Sequence, residues 1–164
     1  MAPISAERDG RIEDEFANIE YEADLLRRYL ETFAGSEPAD DLDYFQWTHT
    51  SSSATEKIYS GLERIVEIIC VALDNQPAGN GDSNWHKQLL VRASQANPGF
   101  RGAILSASTF EALDRLRGFR HRERNSYFQA LDLDVVIERA REAIAAITLL
   151  KADIQKFRPP PAAA

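Results

Sequence analysis

The run RIEDEFANIEYEADLLRRYLETFAG, from Arg11 to Gly35, decides the fold. Its apolar residues Ile12, Phe16, Ile19, Ala23, Leu26, Leu30 and Phe33 stand alternately four and three apart. A helix of 3.6 residues per turn gathers that spacing into one stripe, leaving the intervening acids and arginines to water. The pattern predicts a helix from about Glu7 to Ala34, stopped by Gly35 and Pro38. A helix with one apolar stripe must bury it against other elements.

The rest of the chain offers partners with the same period. Residues 37–50 hold three aspartates with Tyr44, Phe45 and Trp47, and read as a connection packed down by aromatics. Ser51, Ser52 or Ser53 is expected to cap a second helix, with Glu56 in its first turns. Ile58, Leu62, Ile65, Ile69, Cys70 and Leu73 mark its buried face. PAGNGDSN, residues 77–84, is a loop. It is not a phosphate loop, because no strand precedes it and no Gly-Lys-Ser/Thr comes after it; Asp82 or Ser83 is expected to cap the next helix. A third helix is expected over 85–96, ending at Asn97-Pro98-Gly99. A fourth begins near Ser106 or Ser108, where Ser108 and Glu111 have capping-box spacing. A fifth starts around Asp132, with Val136, Ala140, Ala143, Ile147, Leu150 and Ile154 on one side. No convincing alternating strand pattern occurs. The expected fold is all-α, an antiparallel bundle of four to five helices: one domain over 1–158 and a frayed tail over 159–164.

Composition narrows the function classes. The formal net charge of −7 argues against unspecific coating of nucleic acid but permits a local basic patch. No apolar run approaches the roughly 20 residues a membrane span needs, and the first residues lack a secretory apolar core. The lone Cys70 sits in an apolar helical pattern and is read as core packing. These features place the chain in the cytoplasm, away from membranes. No metal and no cofactor are expected, because none of the three histidines stands after a glutamate at helical spacing and no CxxC occurs. His86 is read as a polar surface residue or the partner of a nearby carboxylate, and Glu63 and Arg64 as structural.

The chemistry-bearing stretch is RLRGFRHRERNSYFQALDLD, residues 115–134, with five arginines and a histidine in its first ten positions. On a helix over 112–128, Ala112, Leu116 and Phe119 share one face. Arg117, His121 and Arg124 share the other, with Arg120 and Tyr127 near its edge. Adjacent guanidinium groups repel one another, and Asp114 and Glu123 relieve only part of that. A phosphate gripped by arginine would relieve it better, and so would carboxylates from elsewhere in the chain; both readings stand here. A neutral imidazole among arginines suits proton transfer, and a cation suits a charged phosphate. Ribonuclease chemistry needs both.

The run Phe119-Arg120-His121-Arg122-Glu123-Arg124-Asn125-Ser126-Tyr127, with Leu131-Asp132 just beyond it, resembles the signature of HepT-like HEPN proteins. Tyr59-Ser-Gly-Leu-Glu-Arg-Ile65 and Ser83-Asn-Trp-His-Lys-Gln-Leu-Leu90 resemble the same branch, so the likeness touches residues 50–135. It implies a dimeric helical toxin acting as a metal-independent endoribonuclease on tRNA or mRNA. Arg120 falls on the family's motif arginine and Tyr127 on its tyrosine. The family pattern Arg-Asn-x3-His-x-Tyr reads Arg-His-x3-Asn-x-Tyr here, so histidine and asparagine are exchanged between positions 121 and 125. The expected catalytic set is Arg120, His121 and Asn125, with Arg117 and Arg124 positioning RNA. The resemblance also implies a nucleotidyltransferase antitoxin of the MNT type that adds AMP to Tyr127. Two alternatives accompany it: an inactive HEPN module that binds nucleotide or RNA, and an interaction protein whose basic helix meets an acidic partner. Arg115 and His121 meet the loose form of the motif too, but point about 120° apart on a straight helix.

Overall fold

The structure, a computed structural model, describes residues 4–76, 84–125 and 131–158, and of 123–125 the backbone alone. Among these the fold is all-helical: α1 (Ala6–Thr32), α2 (Asp41–Asp74), α3 (Trp85–Ser94), α4 (Ala107–Asn125) and α5 (Leu133–Ile154), then a short 3-10 turn, Gln155–Phe157. Residues 77–83 of the expected loop at 77–84, and the tail at 159–164, lie outside the described residues; the N-cap position of α3 is Asn84, in place of the expected Asp82 or Ser83.

The α1 stripe behaves as its spacing requires, with Ile12, Phe16, Ile19, Ala23, Leu26, Leu30 and Phe33 all buried. It lies against α2 in an antiparallel register, fixed at its edges by Lys57 with Glu22 and Arg64 with Glu15. Between those two pairs, Gly61 faces Ile19 so closely that a methyl group at position 61 would overlap the isoleucine side chain. Glycine here sets how near the two helices come. The α4–α5 pair is antiparallel too: Ser106 N–H donates to Asp153 at 2.7 Å, and Arg115 reaches Glu142 at 2.6 Å. On α5, Val136, Ala140, Ala143, Ile147, Leu150 and Ile154 are buried as the period requires. Lys151 pairs with Glu20, and Arg158 with Asp9, tying α5 and the 3-10 turn after it back along α1. The four long helices therefore form the bundle and α3 packs beside α2 and α4.

Two local expectations are corrected. The second helix is not capped by Ser51–Ser53. Its cap lies eleven residues before Ser51, where the Asp40 carboxylate accepts the N–H groups of Leu42 and Asp43. The aromatic stretch read as a connection is thus its first three turns, with Trp47 stacked on Phe33 at 4.2 Å between ring centroids. Ser51 and Ser52 are buried inside the helix, and Thr55 Oγ1 donates back to the Ser51 carbonyl. In α4, Ser106 and not Ser108 is the cap, its Oγ accepting Thr109 N–H at 3.3 Å. The reciprocal acceptor is Asp153 of α5 in place of Glu111. The Asp132 cap of α5 is as expected, accepting from Asp134 and Val135.

Candidate functional site

The basic helix α4 turns Ala112, Leu113, Leu116 and Phe119 into the core. Among the described side chains, its arginines do not make one bare cationic face. Arg115 reaches Glu142 on α5, and Arg117 donates from Nε to Asp114 at 2.9 Å. Arg120 turns to α2, with Nε at 3.3 Å from Glu56 Oε1 and Nη1 at 3.5 Å from Glu63 Oε1. Carboxylates from two other helices thus supply the neutralisation expected of a phosphate, which corrects the picture of gathered, uncompensated guanidinium groups. His121 and Arg122 are exposed at the surface. The side chains of Arg124 and Asn125, and Tyr127 altogether, lie outside the described residues. Of the expected set, then, Arg120, His121 and Arg117 can be placed.

Arg120 belongs to a cluster whose centre is Glu63. This glutamate is buried, and its Oε2 accepts the Tyr59 hydroxyl at 2.6 Å. The same oxygen lies 2.7 Å from His86 Nδ1. The Arg120 guanidinium completes the group from above the Tyr59 ring, 5.8 Å from its centroid. Burial first, and then the negative charge of Glu63, push the Tyr59 phenol far above its ordinary range. Tyr59 therefore keeps its proton and donates it. Three helices meet at this carboxylate: Tyr59 and Glu63 from α2, His86 from the first turn of α3, and Arg120 from the last turns of α4. Trp85 lies beside His86, with 4.5 Å between ring centroids.

A second buried acid, Asp74, ends α2. Its carboxylate receives Arg101 through Nε at 2.7 Å and Nη2 at 3.0 Å, Arg92 Nε at 2.6 Å and Asn97 Nδ2 at 3.1 Å. Burial pushes this carboxyl up, but the hydrogen bonds from Arg101, Asn97 and Arg92 more than reverse it and hold it at about 2. Arg101 spends its remaining donors on the carbonyls of Gln95, Gly102 and Arg92. A cleft of about 590 Å³ opens here, lined among others by Asp74, Lys87, Arg92 and Arg101. It runs along α3 from Asn84 to Asn97 without taking in His86, and its most buried charges are already satisfied, so its size does not make it the chemical centre. Cys70, one turn before Asp74, is buried, and desolvation pushes its thiol up to about 11, which leaves it an unreactive core residue as expected.

A family model described as HepT-like protein matches residues 51–159, more than half of the chain. The chain belongs to the HepT-like family. The match covers α3, α4, α5 and most of α2, so every residue of the Glu63 cluster falls inside it. No curated protein and no solved structure matches the chain. Among the described residues, no group of histidine, cysteine and acidic side chains is arranged to hold a metal, and no helix is long and apolar enough to cross a membrane.

The sequence pointed at Arg120 and His121 but passed over the partnership of Glu63, His86 and Arg120. One signal was present. Glu63 sits among Ile58, Tyr59, Leu62, Ile65 and Val66, all buried, and an acid in such surroundings needs partners. Which partners it finds depends on how α3 and α4 return to α2, and no local pattern carries that.

Proposed function

We propose that this HepT-like protein is the toxin of a toxin–antitoxin pair, a metal-independent endoribonuclease working in the cytoplasm as a homodimer. The observation that carries the reading is the setting of Arg120. It occupies the family's motif position, is partly exposed, and meets its two glutamates at 3.3 and 3.5 Å, longer than usual charge-assisted bonds. Those contacts use Nε and Nη1. A guanidinium has five N–H groups, so an incoming phosphate can be bound while the glutamates fix the orientation.

In this reading the ribose 2′-oxygen loses its proton to a base and attacks the adjacent phosphorus. The bond to the 5′-oxygen breaks, and that oxygen takes a proton from an acid. Arg120 stabilises the charge that develops on the phosphate. His121 serves as acid/base, Asn125 helps hold the phosphate or ribose, and Arg117 and Arg124 position the RNA. A nucleotidyltransferase antitoxin of the MNT type silences the toxin by adding AMP to Tyr127, which would bring a phosphate up to the same basic helix. The folded unit spans residues 1–158.

A second reading is supported by Asn125 standing where the family has its catalytic histidine: an inactive HEPN module that binds RNA or nucleotide. The acidic-partner reading loses its motive, because Arg115, Arg117 and Arg120 already meet carboxylates within the chain. The test is incubation of the purified protein with tRNA or mRNA in EDTA. Fragments that vanish in Arg120→Ala and His121→Ala support the enzyme. RNA bound uncut, with affinity collapsing as salt is added, supports the binding module.

A further inference from the structure

The basic helix carries one histidine, His121, where ribonuclease chemistry uses an acid and a base. The cluster around Glu63 contains another. We propose that His86 is the general base of the reaction, oriented by Glu63 and completed beside the phosphate site by Arg120. The inference rests on the ribonuclease reading above and adds to it a residue from outside the basic helix.

The assignment of the imidazole comes from its partners. Glu63 Oε2 already accepts the Tyr59 hydroxyl, whose proton stays on the phenol. A carboxylate in that position offers only lone pairs, so the His86 nitrogen 2.7 Å away must carry the hydrogen of the bond. In the neutral ring the proton is then on Nδ1, and Nε2 presents its lone pair. This is the arrangement in which a buried carboxylate fixes a histidine's tautomer and stabilises the imidazolium formed when it takes a proton. Glu63 is a positioning residue; His86 is the group that would touch substrate.

Placement and access agree with that role. His86 and Arg120 sit on the two oxygens of one carboxylate, so base and phosphate-binding cation are held by the same side chain. The His86 side chain is 32% exposed, whereas Glu63 is 7% exposed: the ring meets solvent and its support does not. Trp85, packed against His86, is partly exposed and offers a ring on which a nucleobase can stack. In the reaction, His86 Nε2 takes the 2′-hydroxyl proton and the 2′-oxygen–phosphorus bond forms. The phosphorus–5′-oxygen bond breaks, and the 5′-oxygen takes its proton from the acid, the part left to His121. The products are a 2′,3′-cyclic phosphate and a 5′-hydroxyl, with no net change in protons.

The full-length protein is assayed for RNA cleavage in EDTA as parent, Arg120→Ala, His86→Ala, His86→Asn and Glu63→Gln. Asparagine at 86 keeps an N–H for Glu63 and has no basic nitrogen, so it guards against a variant that merely misfolds. Both His86 variants should lose about 100-fold or more in kcat with little change in KM. Added imidazole should restore part of the activity of His86→Ala. Glu63→Gln should lower kcat more than it raises KM. A folded His86→Asn that cuts RNA at the parental rate, beside a dead Arg120→Ala, overturns the role of His86 and leaves the ribonuclease reading standing. A parent that leaves RNA intact overturns both.

Discussion

Helix α2 carries two buried acids, and the difference between them separates structure from chemistry. Glu63 and Asp74 are eleven residues apart, three turns plus about 20°, so they face the same way and lie roughly 16 Å from each other. Each reaches a residue of α3 and an arginine contributed from further along the chain. At Asp74 the clamp is closed: acid and Arg101 side chains are both 1% exposed, and Arg101 bonds the acid with two nitrogens. At Glu63 the acid is buried too, but neither of its charged partners is sealed as Arg101 is: Arg120 and His86 both reach the surface, and the arginine bonds are longer. The Arg101–Asp74 pair, sealed from water and with every Arg101 donor spent, can only hold the fold. A clamp whose cation and imidazole keep an open side can hold them for a third party.

The sharpest way to break the comparison is to remove each acid. Asp74→Ala leaves Arg101 buried without its counter-charge and should cost about 3–5 kcal/mol in urea unfolding. The same clamp predicts acid sensitivity. The Asp74 carboxyl is held at about 2, below the ordinary value of about 3.9 for an unfolded aspartate. A depressed carboxyl contributes stability above its unfolded value and loses it as pH falls towards the folded one. Unfolding free energy measured from pH 6 to pH 2 should therefore drop by about 2–3 kcal/mol, mostly below pH 4, and that drop should be absent in Asp74→Asn. A flat profile in the parent would show that the clamp is not closed.

The sequence announced one of these two clamps by its chemistry and neither by its geometry. Periodicity found the stripes of α1 and α5 residue by residue, because burial on a helix repeats every 3.6 positions and nothing tertiary is needed to see it. It misplaced the start of α2, because three consecutive serines look like a cap, while Asp40 has the stronger acceptor and the aromatics after it pack well in a helix. The dense arginines drew attention to α4 and invited a phosphate. Their carboxylates lie 27, 57 and 64 positions away in the chain, at Glu142, Glu63 and Glu56, and only the folded bundle brings them in. His86 was read as the partner of some nearby carboxylate, and it has one, but which acid that is stayed hidden for the same reason. Its neighbours in sequence, Trp85 and Lys87, say nothing of the acid it meets 23 positions away.

Removal of the charge at Glu63 should be milder than at Asp74. In Glu63→Gln the amide oxygen still accepts from Tyr59 or His86, and Arg120 keeps Glu56 and partial access to water. The expected loss is about 1–2 kcal/mol in urea unfolding. A loss equal to that of Asp74→Ala would mean that the Glu63 cluster is a second closed clamp, and it would weaken the case for an open site.

The smallest effect is expected at Arg115, and it decides between two arginines of one helix. Arg115 and Arg120 stand five positions apart, about 140° around α4, so one turns to α5 and the other to α2. Arg115 also satisfies the loose arginine–histidine spacing with His121, so sequence alone leaves it eligible for the phosphate role. Its side chain is 51% exposed and pairs with Glu142 at the bundle's surface, where such pairs are worth below about 1 kcal/mol. Arg115→Ala should therefore shift the urea midpoint only slightly and leave RNA cleavage or binding near the parental level, while Arg120→Ala abolishes it. Loss of RNA handling in Arg115→Ala, with Arg120→Ala unaffected, would move the site from the α2 side of the helix to the α5 side and leave Glu63 and His86 with a structural role only.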